Sequence, residues 1–132
     1  MQTLLLVIQA IVGFGILNVW LLRRNKATAF RGGLAQSMEE EFKHYGLPEW
    51  SVSVVGFSKV SLAFLILAGY FNPTLTALGA TALGLFMLGA VLLHIKVRDT
   101  FVKTLPSLLM LVMCGILAMG SSPDILSIAA IQ

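Results

Sequence analysis

The chain has 132 residues, of which 58% are hydrophobic and only 11% charged, where an ordinary soluble domain has about a quarter of its residues charged. A chain this short keeps too much surface exposed to hide such an apolar excess from water, so that surface must face lipid, and the length allows only a single small domain. Nine Lys or Arg against six Asp or Glu give a formal charge of +3, too small and too scattered for a nucleic-acid binder, and the lone Cys114 leaves no internal disulfide and no zinc-ligand spacing.

Residues 3–22 are apolar apart from Gln9 and Asn18, long enough to cross roughly 30 Å of hydrocarbon at about 1.5 Å per residue. Basic residues follow this span instead of preceding it, the reverse of a cleavable signal, so it is read as a retained first helix. Between spans one and two, Leu34, Met38, Phe42 and Tyr45 recur at helical spacing with Glu39, Glu40, Glu41 and Lys43 between them. That pattern predicts a short amphipathic helix over 33–45, lying in the interface and stopped by Gly46 and Pro48.

A second span is predicted over 51–71, interrupted only by Lys59, and a third over 74–93. Asn72-Pro73-Thr74 makes the tight turn of an antiparallel hairpin between them. The fourth, over 104–119, is expected to open with Thr104 as N-cap and Pro106 in the first turn. Residues 120–124 end it, and the tail 125–132 is expected to pack at the outer surface.

The loops decide the orientation. Arg23, Arg24, Lys26, Arg31 and Lys43 lie between spans one and two, and Lys96, Arg98 and Lys103 between spans three and four, with no Lys or Arg on the other side. The positive-inside rule then places loops 23–50 and 94–104 in the cytoplasm and both termini outside, in a bacterium the periplasm. Trp20 and Trp50 at the inner boundary and Tyr70 at the outer one are expected in aromatic belts.

Lys59 is the most informative residue, because a charge inside a span costs about 2.5–3.5 kcal/mol on insertion scales. It sits about 12 Å along its helix, near enough to the boundary for its stem to snorkel. Its neighbours Gly56 and Ala63 are small, however, as expected where another helix packs closely. Asn18 lies about 6 Å from the same boundary and His94 where the third span leaves the membrane. These groups are expected to converge in the inner half of the bundle, with Glu49 and Asp99 as nearby carboxylates. Together these five residues form a candidate ligand-binding or partner-binding cluster. It could hold a polar head such as a quinone ring, with Lys59 as donor and His94 as proton carrier; the alternative is a polar tie between helices. Cys114 reads as a small packing residue, and Ala77, Ala80 and Gly84 as a close-packing stripe.

Several short stretches, in order, carry a resemblance: Glu41-Phe42-Lys43-His44-Tyr45-Gly46-Leu47-Pro48, Val55-Gly56-Phe57-Ser58-Lys59, Ala77-Leu78-Gly79-Ala80, Met87 through His94, and Leu105-Pro106. Over roughly 31–117 the chain resembles the DoxX-like family of small four-helix membrane proteins. The resemblance implies a four-helix bundle and a link to redox, since the name-giving members resemble subunits of a thiosulfate:quinone oxidoreductase and relatives associate with thiol-stress proteins. Many members carry a Glu in span two where this chain has Lys59, and the thiol-relay relatives have a Cys pair that is missing here.

The expectation is therefore an all-α membrane protein, a four-transmembrane-helix bundle with an interfacial helix between spans one and two. Its partners are the lipid bilayer and either other membrane subunits or further copies of itself. The leading functional reading is an accessory or partner-binding subunit without catalysis of its own. A quinone-linked redox subunit is the alternative, followed by a small transporter or lipid-modifying isomerase, which would want acidic residues inside its spans.

Overall fold

A computed structural model describes residues 2–121, so the expected tail at 125–132 lies outside the described residues. Five α-helices follow in order: α1 (Gln2–Leu17), α2 (Met38–His44), α3 (Trp50–Ala68), α4 (Pro73–Lys96) and α5 (Phe101–Gly120). Helix α1 runs on through one π turn, Asn18–Leu22, in which Arg23 N–H donates to Asn18 O at 3.0 Å. There are no strands among the described residues. Four of the helices, α1 counted with its π turn, are long and apolar enough to cross a membrane.

The four long helices form a closed ring, each touching the next in the order α1, α3, α4, α5 and back to α1, while α2 packs beneath α3. The seam is lined by Val12, Ile16, Ala63, Ile66, Ala80, Leu83, Cys114 and Leu117, all nearly inaccessible. Outward faces are as apolar as the core: Phe57 is 78% exposed, Phe64 56% and Phe71 94%. Such large exposed apolar area is stable only against lipid tails, which makes this a four-helix membrane protein.

Connections follow local chemistry. Asn72 caps α4 by accepting from Thr74 N–H at 3.1 Å, with Pro73 in the first position, where a missing N–H costs nothing. Close to that turn, a polar tie crosses the bundle: Gln9 donates from Nε2 to Ile66 O at 2.7 Å and to Thr76 Oγ1 at 3.0 Å.

Three details differ from the sequence expectations. The amphipathic helix starts at Met38 rather than near 33, because Ser37 accepts from Glu40 N–H and caps it, while Glu40 reaches back to Gln36 N–H. Leu34, assigned to its apolar stripe, is consequently 96% exposed in the preceding loop. Helix α5 starts at Phe101, so Thr104 lies inside it, its hydroxyl donating to Thr100 O, and Pro106 falls in the second turn. Trp20 is not in an interfacial belt; it is 5% exposed and packs edge-on against Phe42 at 6.0 Å, admitted by Gly56, whose Cβ would stand 2.7 Å from the indole. Trp50 and Tyr70 do face outward, and Tyr70 donates to Leu6 O.

Candidate functional site

The loops and α2 meet at one end of the ring, the loop end. Helix α2 places Met38, Glu41, Phe42 and Tyr45 on one face, three and four residues apart, and all four are buried. A carboxylate therefore enters the apolar face. The sequence reading put Glu41 on the charged face, but it stands three residues after Met38 and four before Tyr45 and so shares their inward face, while Glu40 stays exposed.

Glu41 is held on both oxygens. Arg31 donates to Oε2 at 3.0 Å, and the Tyr45 hydroxyl donates to Oε1 at 2.7 Å. Arg31, itself 5% exposed, also donates to the carbonyls of Lys26, Arg23 and Arg24, winding the loop after α1 around its guanidinium. Burial, then the Glu41 carboxylate, raises the Tyr45 hydroxyl above its ordinary range, so it remains a donor.

The chain of contacts continues into α4. Tyr45 Oη lies 3.2 Å from His94 Nε2, and His94 Nδ1 lies 2.7 Å from Asp99 Oδ2. Three gaps separate Glu41, Tyr45, His94 and Asp99, and filling all of them takes the phenol hydrogen and a hydrogen on each ring nitrogen. Asp99 Oδ1 accepts from Gly33 N–H at 3.1 Å, and Lys103 donates to Gly33 O, which pins the loop to the start of α5. Gly33 has φ 55°, a conformation few other residues take easily.

Burial pushes the Asp99 carboxyl up, but the Gly33 N–H, His94 and Lys103 outweigh it and hold the group below its ordinary 3.8. A depressed carboxyl stabilises the fold fully above the unfolded value and loses that effect as pH falls through the folded one. Asp99→Asn is expected to cost roughly 1.5–3 kcal/mol near neutrality, the range for hydrogen bonds to a charged group. The gap between native and variant chains should close only below pH 3.8, as read by unfolding in detergent across a pH series.

Lys59, from α3, completes the site. It is 9% exposed, with Nζ 5.6 Å from the centre of the Trp20 ring. Gly56 and Ala63 are buried beside it, so its face looks inward and does not snorkel. Two cavities adjoin this side chain. One, of about 230 Å³, has walls that include Trp20, Arg31, Glu41, Tyr45, Lys59, His94 and Met110. The other, about 480 Å³, lies between α3 and α4 with Val55, Leu85, Phe86 and Leu93 in its walls, and Lys59 is its single polar wall residue.

Of the five candidates named from sequence, Lys59, His94 and Asp99 come together. Asn18 is exposed at the π turn and Glu49 is exposed before α3; neither lines a cavity. Asn18 lies two residues from both Ile16 and Trp20, on the opposite side of the helix from their buried stripe, and Glu49 stands just outside α3 as its N-cap. Arg31, Glu41 and Tyr45 take their places. Among the described residues, no three His, Cys, Asp or Glu side chains converge as metal ligands would.

Neither the curated proteins nor the solved structures gave a match to this chain. A family model does match, over residues 27–117, from the loop that Arg31 organises through most of α5. That stretch contains Arg31, Glu41, Tyr45, Lys59, His94 and Asp99, and it covers well over half of the sequence. Four membrane-spanning helices closed over a polar loop end and a match of this extent lead to one conclusion: the chain belongs to the DoxX-like family.

Proposed function

We propose that this chain is an accessory membrane subunit that holds the polar head of a lipid-like molecule at the loop end, with no catalysis of its own. The observation that carries this reading is Lys59, a buried cation between a polar chamber and an apolar groove. A head could reach Lys59, Glu41 or His94 while a tail lies along Val55, Leu85 and Phe86, the division expected of a site for an amphiphile. The exposed surface of α2 and the loop before it remains available to a protein partner.

A second reading, a quinone-linked redox subunit, draws on the Tyr45–His94–Asp99 chain, which sets groups able to pass a proton beside the cavity. Purification in a gentle detergent, with mass spectrometry of proteins and small molecules together, separates the two. A stoichiometric protein partner with a bound amphiphile supports the accessory reading. Copurified quinone with a redox-dependent spectrum supports the second. A chain that emerges alone and empty contradicts both.

For orientation, the basic loops favour a cytoplasmic loop end and outside termini. Asn25→Cys tests this, because Asn25 is exposed and the native Cys114 is fully buried. In intact cells a membrane-impermeant maleimide should leave the variant unlabelled, and permeabilised cells should label it. Labelling of intact cells would reverse the orientation.

A further inference from the structure

Of the titratable side chains buried at the loop end, Arg31, Glu41 and His94 each have a partner and Lys59 has none. Arg31 pairs with Glu41 at 3.0 Å and His94 meets Asp99 at 2.7 Å, while Lys103 closes on Gly33 O. Among the described residues, no carboxylate comes within ion-pair distance of the Lys59 ammonium and no acceptor takes its hydrogens; its one polar contact is the Trp20 face. A cation–π contact offsets only part of the cost of burying an ammonium group. The chamber around it is lined by Arg23, Arg31, Lys59 and Lys103 against the single carboxylate of Glu41.

An unpaired, nine-tenths buried cation in a chamber with surplus positive charge selects for an anion. The size of the chamber narrows the class. At about 230 Å³ it is smaller than the roughly 300–1,000 Å³ of ordinary ligand sites. That volume suits a compact anionic head such as a carboxylate with a few waters. The adjoining groove of about 480 Å³ is apolar apart from Lys59 itself, which suits one hydrocarbon chain.

Building on the amphiphile reading above, we infer that the ligand is a single-chain carboxylate, a free fatty acid, with its head on Lys59 and its chain in the groove between α3 and α4. The step is non-covalent. Lys59 supplies hydrogen bonds and charge, Trp20 supplies one wall, and the Arg31-wound loop closes the chamber from below.

Trp20 provides the readout. The chain has two tryptophans, and Trp50 is exposed and lines neither cavity, so full-length Trp50→Phe protein in neutral detergent reports on Trp20 alone. It is titrated with dibrominated stearic acid, the corresponding dibrominated alcohol and a dibrominated phosphatidylglycerol. The acid should quench saturably and bind about tenfold or more tighter than the alcohol, the factor expected from a charge-assisted bond. Lys59→Met should bring the acid down to the alcohol's affinity, and Lys59→Arg should keep the preference. Acidification through the ligand's own titration should weaken binding.

Equal affinity of acid and alcohol for the native chain, or an undiminished preference in Lys59→Met, would overturn the inference. Equal potency of the phosphatidylglycerol would overturn the single-chain assignment. Saturation by a quinone but not by the acid would overturn it in favour of the redox reading. No saturable quenching by any amphiphile would remove the underlying site as well. If Lys59→Met does not fold, the acid-to-alcohol ratio of the native chain and of Lys59→Arg decides.

Discussion

Glu41→Leu is expected to lower the stability of the protein by about 3–5 kcal/mol, the usual cost of removing one partner from a buried ion pair. The side chains of Arg31 and Glu41 are only 5% and 11% exposed, so water only partly compensates for the lost carboxylate. Arg31 would keep its three carbonyl acceptors but no counter-charge, and the Tyr45 hydroxyl would lose its 2.7 Å acceptor. The loop after α1 is wound on that guanidinium, so it should also become sensitive to protease near Arg23 and Lys26. A double variant, Arg31→Met with Glu41→Leu, should recover only part of the loss, because it removes the unpaired charge but also the donor to the carbonyls of Arg23, Arg24 and Lys26. Equilibrium unfolding in mixed micelles checks both variants. A single variant within about 1 kcal/mol of the native chain would mean that the pair is solvated and worth no more than a surface one.

Gly69→Ala should be the second severe change, and it acts at the opposite end of the bundle. A Cβ there would stand 1.7 Å from Thr76 Oγ1 and 2.8 Å from Thr76 N, so backbone would have to move. Gly69 has φ −64°, a conformation any residue adopts, and the constraint is close approach alone. Displacing Thr76 also withdraws the acceptor 3.0 Å from Gln9 Nε2, loosening the tie between α1 and the α3–α4 hairpin. The expected loss is about 3 kcal/mol, the upper part of the range for overpacking. Gly115→Ala is the control: nothing lies within 4 Å of its Cβ position, so the change should be neutral or stabilising by up to about 1 kcal/mol. Similar losses from both variants would show that helix flexibility, not the Gly69–Thr76 approach, sets the effect.

The spans were legible because membrane insertion is written in long apolar runs, and their helices start and stop near the expected positions. The Asn72-Pro73 turn was equally plain, since both residues act locally. Lys59 could be found by its cost alone, and Gly56 and Ala63 told that its face turns inward. Glu41 was harder. It lies in a run of three glutamates, and its spacing, three residues after Met38 and four before Tyr45, puts it with Met38, Phe42 and Tyr45. Read from Leu34 onward, the same stretch gave a longer helix with all three carboxylates on its wet side.

Arg31 and Tyr45 escaped notice for different reasons: Arg31 bonds to partners five to ten residues away, mostly in irregular loop that has no period to read, and the role of Tyr45 depends on chain distant in sequence. Tyr45 meets His94 across 49 positions and Gly33 meets Asp99 across 66, and no local pattern encodes such pairings. Asn18 and Glu49 were misplaced by judging depth alone. Depth along a helix says how far a side chain lies from the boundary, but not which way it points, and Asn18 points away from the face that Ile16 and Trp20 share.

The central claim, that the chamber beside Lys59 receives the head of an amphiphile, is tested most directly by photolabelling. A fatty acid with a diazirine close to its carboxylate, incorporated with the protein into bilayers and activated by light, reports the residues beside its head. Adducts are expected on Trp20, Phe42 and Met87, which line the chamber, and unlabelled fatty acid should compete them away. Adducts confined to the outward-facing Phe57, Phe64 and Phe71, and unaffected by competitor, would mean that the molecule merely dissolves around the bundle, which contradicts the account.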